Sequence, residues 1–304
     1  MRRVDLRKSK ELFEDLAQII KEAKQGEVLV VLFEIGDFSP VEKSFSFVKE
    51  QGCELLNSLK FNQVDWTIVI KKESMIYDNA LCFLDMPSLK NKNLCEKIGV
   101  NSINISCLED KNLKAKFYKC EIASLSFVLA LLCKLSDEGH FCDLDEGYLS
   151  AESCFGEEEA GEVLAFLKET KYLIIDKNIH SYKDSENIKY FLNFLSAKYE
   201  LKILDSDEEE CDFKKAKLNT LKELDNYDGL VLFRVNLQDK NLHCSRQFLQ
   251  IAKCKDQSEV EILAKDFSFK TKLCLDENLQ GTIAFLNYEN NGFDFTPIRI
   301  KEAK

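Results

Sequence analysis

The stretch EVLVVLFEI, residues 27–35, restricts the fold of this chain more than any other feature. Its residues are apolar at almost every position between 28 and 35, so both faces of an extended strand would be apolar. Such a strand must lie inside a sheet and be covered by packed side chains. One of its faces would carry four alternating side chains, those of Leu29, Val31, Phe33 and Ile35.

The segments around this strand predict a small module over residues 1–73. Apolar residues at helical spacing predict a helix over residues 10–24, after a short strand over residues 4–6. Ser39 is predicted as the N-cap of a second helix, with Pro40 at its first position and Glu42 completing a capping box. Two more strands follow, over residues 54–60 and 64–71. The predicted order is β-α-β-α-β-β, a two-layer α/β module.

Both helices of such a module would cover one face of a four-stranded sheet and leave the other face open. We expect the face with Leu29, Val31, Phe33 and Ile35 to be the open one and to bind a partner. Trp66, the only tryptophan, would point towards the helix-covered core. Core packing is the favoured interpretation of this ring, and stacking on a bound FMN is the alternative.

The rest of the chain alternates strands and helices and then changes to strands alone. Strands over residues 81–84, 103–107, 172–175, 201–204 and 229–233, with helices over 157–168, 185–198 and 214–224, predict a doubly wound α/β domain in residues 75–243. Strands over residues 260–263, 267–274, 282–286 and 293–300 predict a small β subdomain in residues 244–304. The sequence has no G-x-G-x-x-G or Walker pattern, so it gives no support to nucleotide binding.

Charge and hydropathy argue against several classes of partner. Residues 1–74 hold 12 Lys and Arg against 13 Asp and Glu, which leaves 30 against 40 in the rest of the sequence. This acidity disfavours nucleic acid and anionic membranes as partners. The longest apolar run, over residues 125–135, is too short to cross a bilayer and contains Lys134. With a charged helix at the start and no signal peptide, we expect a cytoplasmic protein without direct membrane insertion.

The first ten residues are basic despite this acidity. They offer a candidate binding patch for an acidic electron carrier, made of Arg2, Arg3, Arg7, Lys8 and Lys10.

The 12 cysteines contain no CxxC pair, so we expect neither an iron-sulfur cluster nor a zinc site, and interpret most of them as reduced core residues. The three glutamates at 157–159 fit the first turn of a helix better than a metal site, because they complement the helix dipole. The acidic run DSDEEECD, residues 205–212, lacks the glycine and distal glutamate of a calcium loop.

The ordered segments VDLR, GEVLVV, GCELL and DWTIVIKK make residues 1–73 resemble the TusA-like sulfur-carrier superfamily. That family places a reactive cysteine in a Cys-Pro-x-Pro motif at the start of the first helix. Here the corresponding segment is RKSKELF, without cysteine or proline, which argues against persulfide chemistry. A sulfur-trafficking or cofactor-assembly role is the alternative function that this resemblance implies.

A second resemblance covers residues 121–304. The segments GYLSAES, GEEE, KYLIID, SRQFLQIA and CLDENLQGTIAFL occur in the order found in the large iron-sulfur subunit of respiratory complex I, a member of the molybdopterin-oxidoreductase family. The cysteine clusters of that family are absent from this sequence, so a retained scaffold without redox centres is expected.

Both halves together resemble the pair of subunits that replace the NADH-binding subunits E and F of complex I in certain bacteria. This resemblance implies an accessory, non-catalytic subunit in the peripheral arm, held at the inner membrane through the complex. It also implies other peripheral-arm subunits as partners, flavodoxin or ferredoxin as electron donor, and FMN as the cofactor to consider. A purely structural, inactive oxidoreductase is a third hypothesis, and Met75 falls where a fusion of two reading frames would join.

Overall fold

The protein is described by a computed structural model that covers residues 1–35, 39–73, 76–289 and 292–302. It divides into two compact units, Met1–Ile76 and Tyr77–Lys304, here called unit 1 and unit 2. The predicted junction residue Met75 lies outside the described residues.

Unit 1 contains one four-stranded sheet and two helices. In sequence order its elements are β1 (Arg2–Asp5), α1 (Leu12–Glu22), β2 (Val28–Glu34), α2 (Ser39–Glu50), β3 (Cys53–Lys60) and β4 (Asp65–Lys72). The strand order across the sheet is β1-β2-β4-β3; β1 and β2 are parallel, and β4 is antiparallel to both β2 and β3. The predicted order β-α-β-α-β-β is therefore confirmed. The capping role predicted for Ser39 concerns a side chain outside the described residues.

The core of unit 1 lies between the sheet and its helices. Leu16 and Ile20 of α1, and Val41 and Val48 of α2, are buried there. From the sheet, the same cluster contains the buried side chains of Leu29, Val31, Phe33, Ile35, Ile68 and Ile70. Only about half of strand β2 is thus committed to the core, and Val28, Val30 and Leu32 remain half-buried on its other face.

The prediction that Leu29, Val31, Phe33 and Ile35 form an open, partner-binding face is therefore wrong. All four are at most 7% exposed and pack with the helices. The reason lies in the strand register, because Phe33 pairs directly with Trp66 across β2 and β4. Residues directly opposite each other in an antiparallel pair point to the same face, so the face of Trp66 and the face of Phe33 cannot be different.

The first part of unit 2 is built on a parallel sheet. Its elements are β5 (Ala80–Phe83), α3 (Pro87–Lys90), α4 (Lys92–Lys97), β6 (Ile103–Ser106), β7 (Lys116–Lys119), α5 (Leu125–Ser136), α6 (Glu146–Ser153), α7 (Glu157–Leu167), β8 (Tyr172–Ile175), a short 3₁₀ helix (Lys177–Ser181), α8 (Ser185–Tyr199) and β9 (Lys202–Asp205). The strand order is β7-β6-β5-β8-β9, and all neighbouring strands are parallel.

Helices cover both faces of this sheet, as in a doubly wound fold. On one face, α5 is buried along nearly its whole length, since every residue from Leu125 to Lys134 is buried. It packs against α6, α7 and α8. Leu94 and Cys95 of α4 are buried against the opposite face of the sheet, beside Cys82. A helix that is apolar all round belongs in the middle of such a layer.

A second, mixed sheet completes unit 2. Its elements are β10 (Val231–Arg234), β11 (Leu242–Cys244), α9 (Arg246–Ala252), β12 (Glu259–Leu263), β13 (Ser268–Leu275), β14 (Ile283–Leu286), β15 (Phe295–Pro297) and β16 (Arg299–Glu302). The strand order is β15-β10-β14-β11-β13-β12-β16. The prediction that the strand near residue 231 belongs to the doubly wound sheet is wrong, because β10 pairs with β14 and β15.

The helix predicted over residues 214–224 is also wrong, since this segment has no helical structure. Its backbone is held by contacts with the neighbouring helix α8. The Oδ1 atom of Asn187 accepts a hydrogen bond from the Asn219 N–H at 2.7 Å, and Leu221 and Leu224 pack against the core. These tertiary contacts stabilise the non-helical segment by more than its helix propensity, which is worth only about a few tenths of a kcal/mol per residue.

Among the described residues, no helix combines the length and the hydropathy needed to cross a bilayer.

Candidate functional site

The indole of Trp66 lies at the edge of the unit 1 core. Its ring is half-buried and packs against the core cluster, on the same face as Ile68 and Ile70. The Nε1–H donates a hydrogen bond of 2.7 Å to the hydroxyl of Ser58 on the neighbouring strand. The prediction that Trp66 points towards the helix-covered core is confirmed. Because its polar atom already has a protein partner, the ring can act as a structural side chain that leaves one edge accessible.

The basic residues of the N-terminus fall into two groups. Arg2 and Arg7 are engaged within unit 1: Arg2 donates to the Ile19 carbonyl at 3.0 Å, and Arg7 forms an ion pair of 2.6 Å with Asp5. The hydrogen bonds from Arg7 lower the pKa of the Asp5 carboxyl to about 2.

The second group is exposed and consists of Arg3, Lys8 and Lys10. No described carboxylate lies within ion-pair distance of these three side chains, so they are the cations of this segment that remain able to meet an acidic partner.

Neither of the two described helices of unit 1 packs on the second face of its sheet. We call it the outer face and define it by the half-buried side chains of Val28, Val30, Leu32, Thr67 and Val69. Val30 pairs with Val69, and Leu32 pairs with Thr67, so these side chains form one continuous surface. Leu59 of β3 extends it, because it pairs with Thr67 and is 54% exposed.

The turn between β3 and β4, residues 61–64, is called the hairpin tip. Phe61 in this turn is 74% exposed, and Val64 is 48% exposed. Side-chain hydrogen bonds hold the turn: the Asn62 Oδ1 accepts from the N–H groups of Val64 and Asp65, at 2.8 Å and 2.7 Å. The Ile35 N–H also donates to the Val64 carbonyl at 2.7 Å. An apolar ring is thus presented to solvent by a turn that is tied to the sheet.

The sequence reasoning missed the hairpin tip, although a signal was present. Phe61 stands in the polar segment KFNQVD, between two predicted strands, where an aromatic residue has no strand face to bury it. Asn62, three residues before Asp65, is the kind of residue that forms a side-chain-capped turn.

The cysteines are distributed over both units, and all twelve are free thiols. Six of them are buried: Cys53, Cys82, Cys95, Cys120, Cys133 and Cys244. Burial favours the neutral thiol and raises, for example, the pKa of Cys120 to about 12. Within the described part of the sequence, no group of three or more His, Cys, Asp or Glu side chains is arranged to hold a metal ion.

Comparison with known proteins gives a match for unit 1. The family of the E subunit of NADH-ubiquinone oxidoreductase matches residues 1–72. A structure titled "Solution structure of HP1264 from Helicobacter pylori" is 46% identical in sequence, and the similarity covers 24% of this protein and 100% of that one, with a TM-score of 0.21. No curated protein matches this sequence.

The family match ends at residue 72, so the predicted resemblance of residues 121–304 to the large iron-sulfur subunit stays a prediction. The match includes every strand and both helices of unit 1. The similarity to the E subunit of NADH-ubiquinone oxidoreductase is therefore a property of unit 1.

Proposed function

We propose that this protein is an accessory peripheral-arm subunit of a complex I-type, quinone-reducing assembly. The observation that carries the proposal is the match of residues 1–72 to the E-subunit family. In the proposal, unit 1 is the part that serves the assembly in place of an NADH-binding subunit, and unit 2 is a scaffold attached to it.

The outer face and the hairpin tip are the proposed contact with a neighbouring peripheral-arm subunit. Their support is the combination of apolar exposure and local order: Phe61 and Leu59 are more than half exposed, yet the turn beside them is held by hydrogen bonds. Isolated exposed apolar residues are common, but a continuous group on one sheet face is typical of a binding surface.

The electron carrier is proposed to be a small acidic protein, flavodoxin or ferredoxin, that meets unit 1 near its N-terminus. The exposed cations Arg3, Lys8 and Lys10 support this choice, because charges at the rim of an interface raise the association rate at low salt. Phosphate-rich partners are a poorer fit to a protein with a net charge of −11.

Affinity purification from the native source tests the proposal. The full-length protein carries a C-terminal tag, membranes are extracted with a mild detergent, and copurifying subunits are identified by mass spectrometry. Two variants with the same substitution at different places are compared. They are Phe61→Glu at the hairpin tip and, as the control, Phe45→Glu on helix α2, where Phe45 is 41% exposed.

We expect the parent protein and Phe45→Glu to copurify with the membrane subunits of a quinone-reducing complex, and Phe61→Glu to lose them. Recovery of a normal complex with Phe61→Glu would mean that the hairpin tip is not the contact. Failure of the parent protein to copurify with any such subunit, while the complex itself is intact, would contradict the proposed function.

A further inference from the structure

Unit 2 contains a polar cavity of about 520 Å³, which we call the polar cavity. It lies where the carboxyl ends of two groups of parallel strands meet. From the parallel sheet, Asp176 follows β8 and Ser206 follows β9. From the mixed sheet, Arg234 ends β10 and Asn287 follows β14, and these two strands are parallel neighbours.

The topology of the parallel sheet favours a ligand at this place. Strand β5 is central in its sheet; the backbone runs from it outward to β7 on one side, and then continues with β8 and β9 on the other side. The connections after β5 and β8 therefore diverge and leave a crevice between them. Open α/β sheets bind their ligands in such a crevice, outside the carboxyl ends of the strands.

The floor of the cavity is a network of ion pairs in which the carboxylates are buried and the cations are half-buried. Asp294, which is 3% exposed, accepts from the ammonium of Lys90 at 2.7 Å and from Nε of Arg234 at 2.8 Å, and it also bonds the Asn178 amide. Lys90 in turn pairs with Asp176 at 2.6 Å. Burial disfavours the charged form of Lys90, but the surrounding carboxylates outweigh this effect and raise its pKa. The ammonium of Lys90 is therefore stabilised in its charged form and is held by its two carboxylate partners before any ligand arrives.

The pairing of the cations argues against an anionic ligand. Each cation that lines the described cavity already has a carboxylate partner, since Lys177 pairs with Asp207 at 2.6 Å in addition to the pairs of Lys90 and Arg234. To reach Lys90 or Arg234, a phosphate or carboxylate would have to break one of their pairs and leave the buried carboxylate of Asp176 or Asp294 uncompensated. Glu289, exposed at the rim, adds a further negative charge.

The remaining lining offers neutral hydrogen-bonding groups. They are the side chains of Asn91, Asn178, Asn236, Asn287, Ser206 and Tyr288. An amide group can form up to four hydrogen bonds, and a hydroxyl three. The Asn287 amide, for example, uses one N–H on the Leu237 carbonyl at 2.6 Å, which leaves its second N–H and its oxygen for a ligand. Several amides around a charge-neutral floor suit a ligand with many hydroxyl groups.

We propose that the polar cavity binds an uncharged, polyhydroxylated small molecule, of the size of a mono- or disaccharide. This proposal rests on unit 2 alone and does not depend on the function proposed above. The volume of the polar cavity lies within the range of about 300–1,000 Å³ that small-molecule sites occupy.

Ligand-observed NMR on the full-length protein tests this inference. Saturation-transfer spectra are recorded with a panel of neutral hexoses, disaccharides and linear polyols, and with inorganic phosphate and adenosine monophosphate as anionic probes. Two asparagine-to-alanine variants are compared: Asn236→Ala, which removes an exposed amide of the cavity, and Asn101→Ala, which removes an exposed amide elsewhere on unit 2. Circular dichroism verifies that both variants are folded.

At least one member of the neutral panel should bind to the parent protein. Asn236→Ala should lower the affinity for that ligand about fivefold, which is the effect of one lost hydrogen bond, and Asn101→Ala should leave the affinity unchanged. Absence of binding by the whole neutral panel up to about 20 mM, well above a weak Kd of about 1 mM, would overturn the proposal. Stronger binding of phosphate or adenosine monophosphate would overturn the predicted ligand class. Equal effects of the two alanine variants would overturn the location.

Discussion

Replacing Leu29 with alanine should destabilise unit 1 severely, whereas replacing Leu32 with alanine should cost little. Both leucines lie in strand β2, but Leu29 is fully buried against the helices and Leu32 is half-buried on the outer face. Truncation of a buried leucine costs about 2–5 kcal/mol, because apolar contacts are lost and a cavity remains. At about 0.05–0.15 kcal/mol per residue, the 76 residues of unit 1 would have a stability of about 4–11 kcal/mol.

The expected loss is thus a large fraction of the stability of unit 1. Trp66 is the only tryptophan of the protein and lies in unit 1, so its fluorescence during urea denaturation reports on this unit alone. With an m value of about 1 kcal/mol/M for a unit of this size, Leu29→Ala should lower the midpoint by about 2 M or more. Leu32→Ala should lower it by about 1 M or less, since that side chain is partly hydrated already.

Equal midpoints for the two variants would refute the assignment of the two faces of β2. A larger loss for Leu32→Ala would restore the open-face assignment that the sequence alone suggested. Far-UV circular dichroism at zero urea shows whether each variant is folded before the titration begins.

Three further predictions concern cofactors and ionisation. Anaerobically purified protein should contain no stoichiometric iron or acid-labile sulfide, because its cysteines lack a paired chelating motif; finding both in stoichiometric amounts would contradict this. Any flavin held by unit 1 should be FMN, bound weakly near Trp66, so an FMN titration should quench the tryptophan emission; unchanged emission up to high micromolar FMN would remove the case for that site. Loss of water around the Asp85 carboxyl raises its pKa, although Lys90 and the Ser106 hydroxyl oppose this. The contribution of this group to stability is therefore largest at low pH and declines as the pH rises through the folded pKa, so Asp85→Asn should gain stability relative to the parent as the pH is raised above about 4, in urea titrations followed by circular dichroism. If Asp85→Asn instead gained stability relative to the parent as the pH was lowered, the pKa of Asp85 would be lowered by folding and not raised.

Local patterns were sufficient to predict the elements of unit 1 but not the side of the sheet on which its helices lie. Strand β2 is apolar on both faces, so its own sequence cannot identify the covered face. The register between Phe33 and Trp66 decides the question, and register is a long-range property. The sequence predictions place Trp66 on the covered face and Phe33 on the open face, and this register shows that the two predictions cannot both be right.

In unit 2, the sequence predicted where strands and helices occur better than it predicted which strands pair with each other. The sequence predicts a strand near residue 231, and β10 is found there. Its sequence VLFR would suit either sheet of unit 2, so only its pairing with β14 shows that it belongs to the mixed sheet. The polar cavity could not be predicted either. Its floor joins Lys90, Asp176 and Asp294, which are separated by up to 204 positions in the sequence, and no local pattern connects such distant charges.

Carrier-dependent quinone reduction in membranes tests the central claim most directly. Membranes are prepared from a strain that lacks this protein, and quinone reduction is measured with reduced flavodoxin or ferredoxin as donor, before and after addition of the purified full-length protein. The account predicts that activity is low without the protein, is restored by adding it, and is restored less by the Phe61→Glu variant than by the Phe45→Glu variant. Full carrier-dependent activity in membranes that lack the protein would contradict the account.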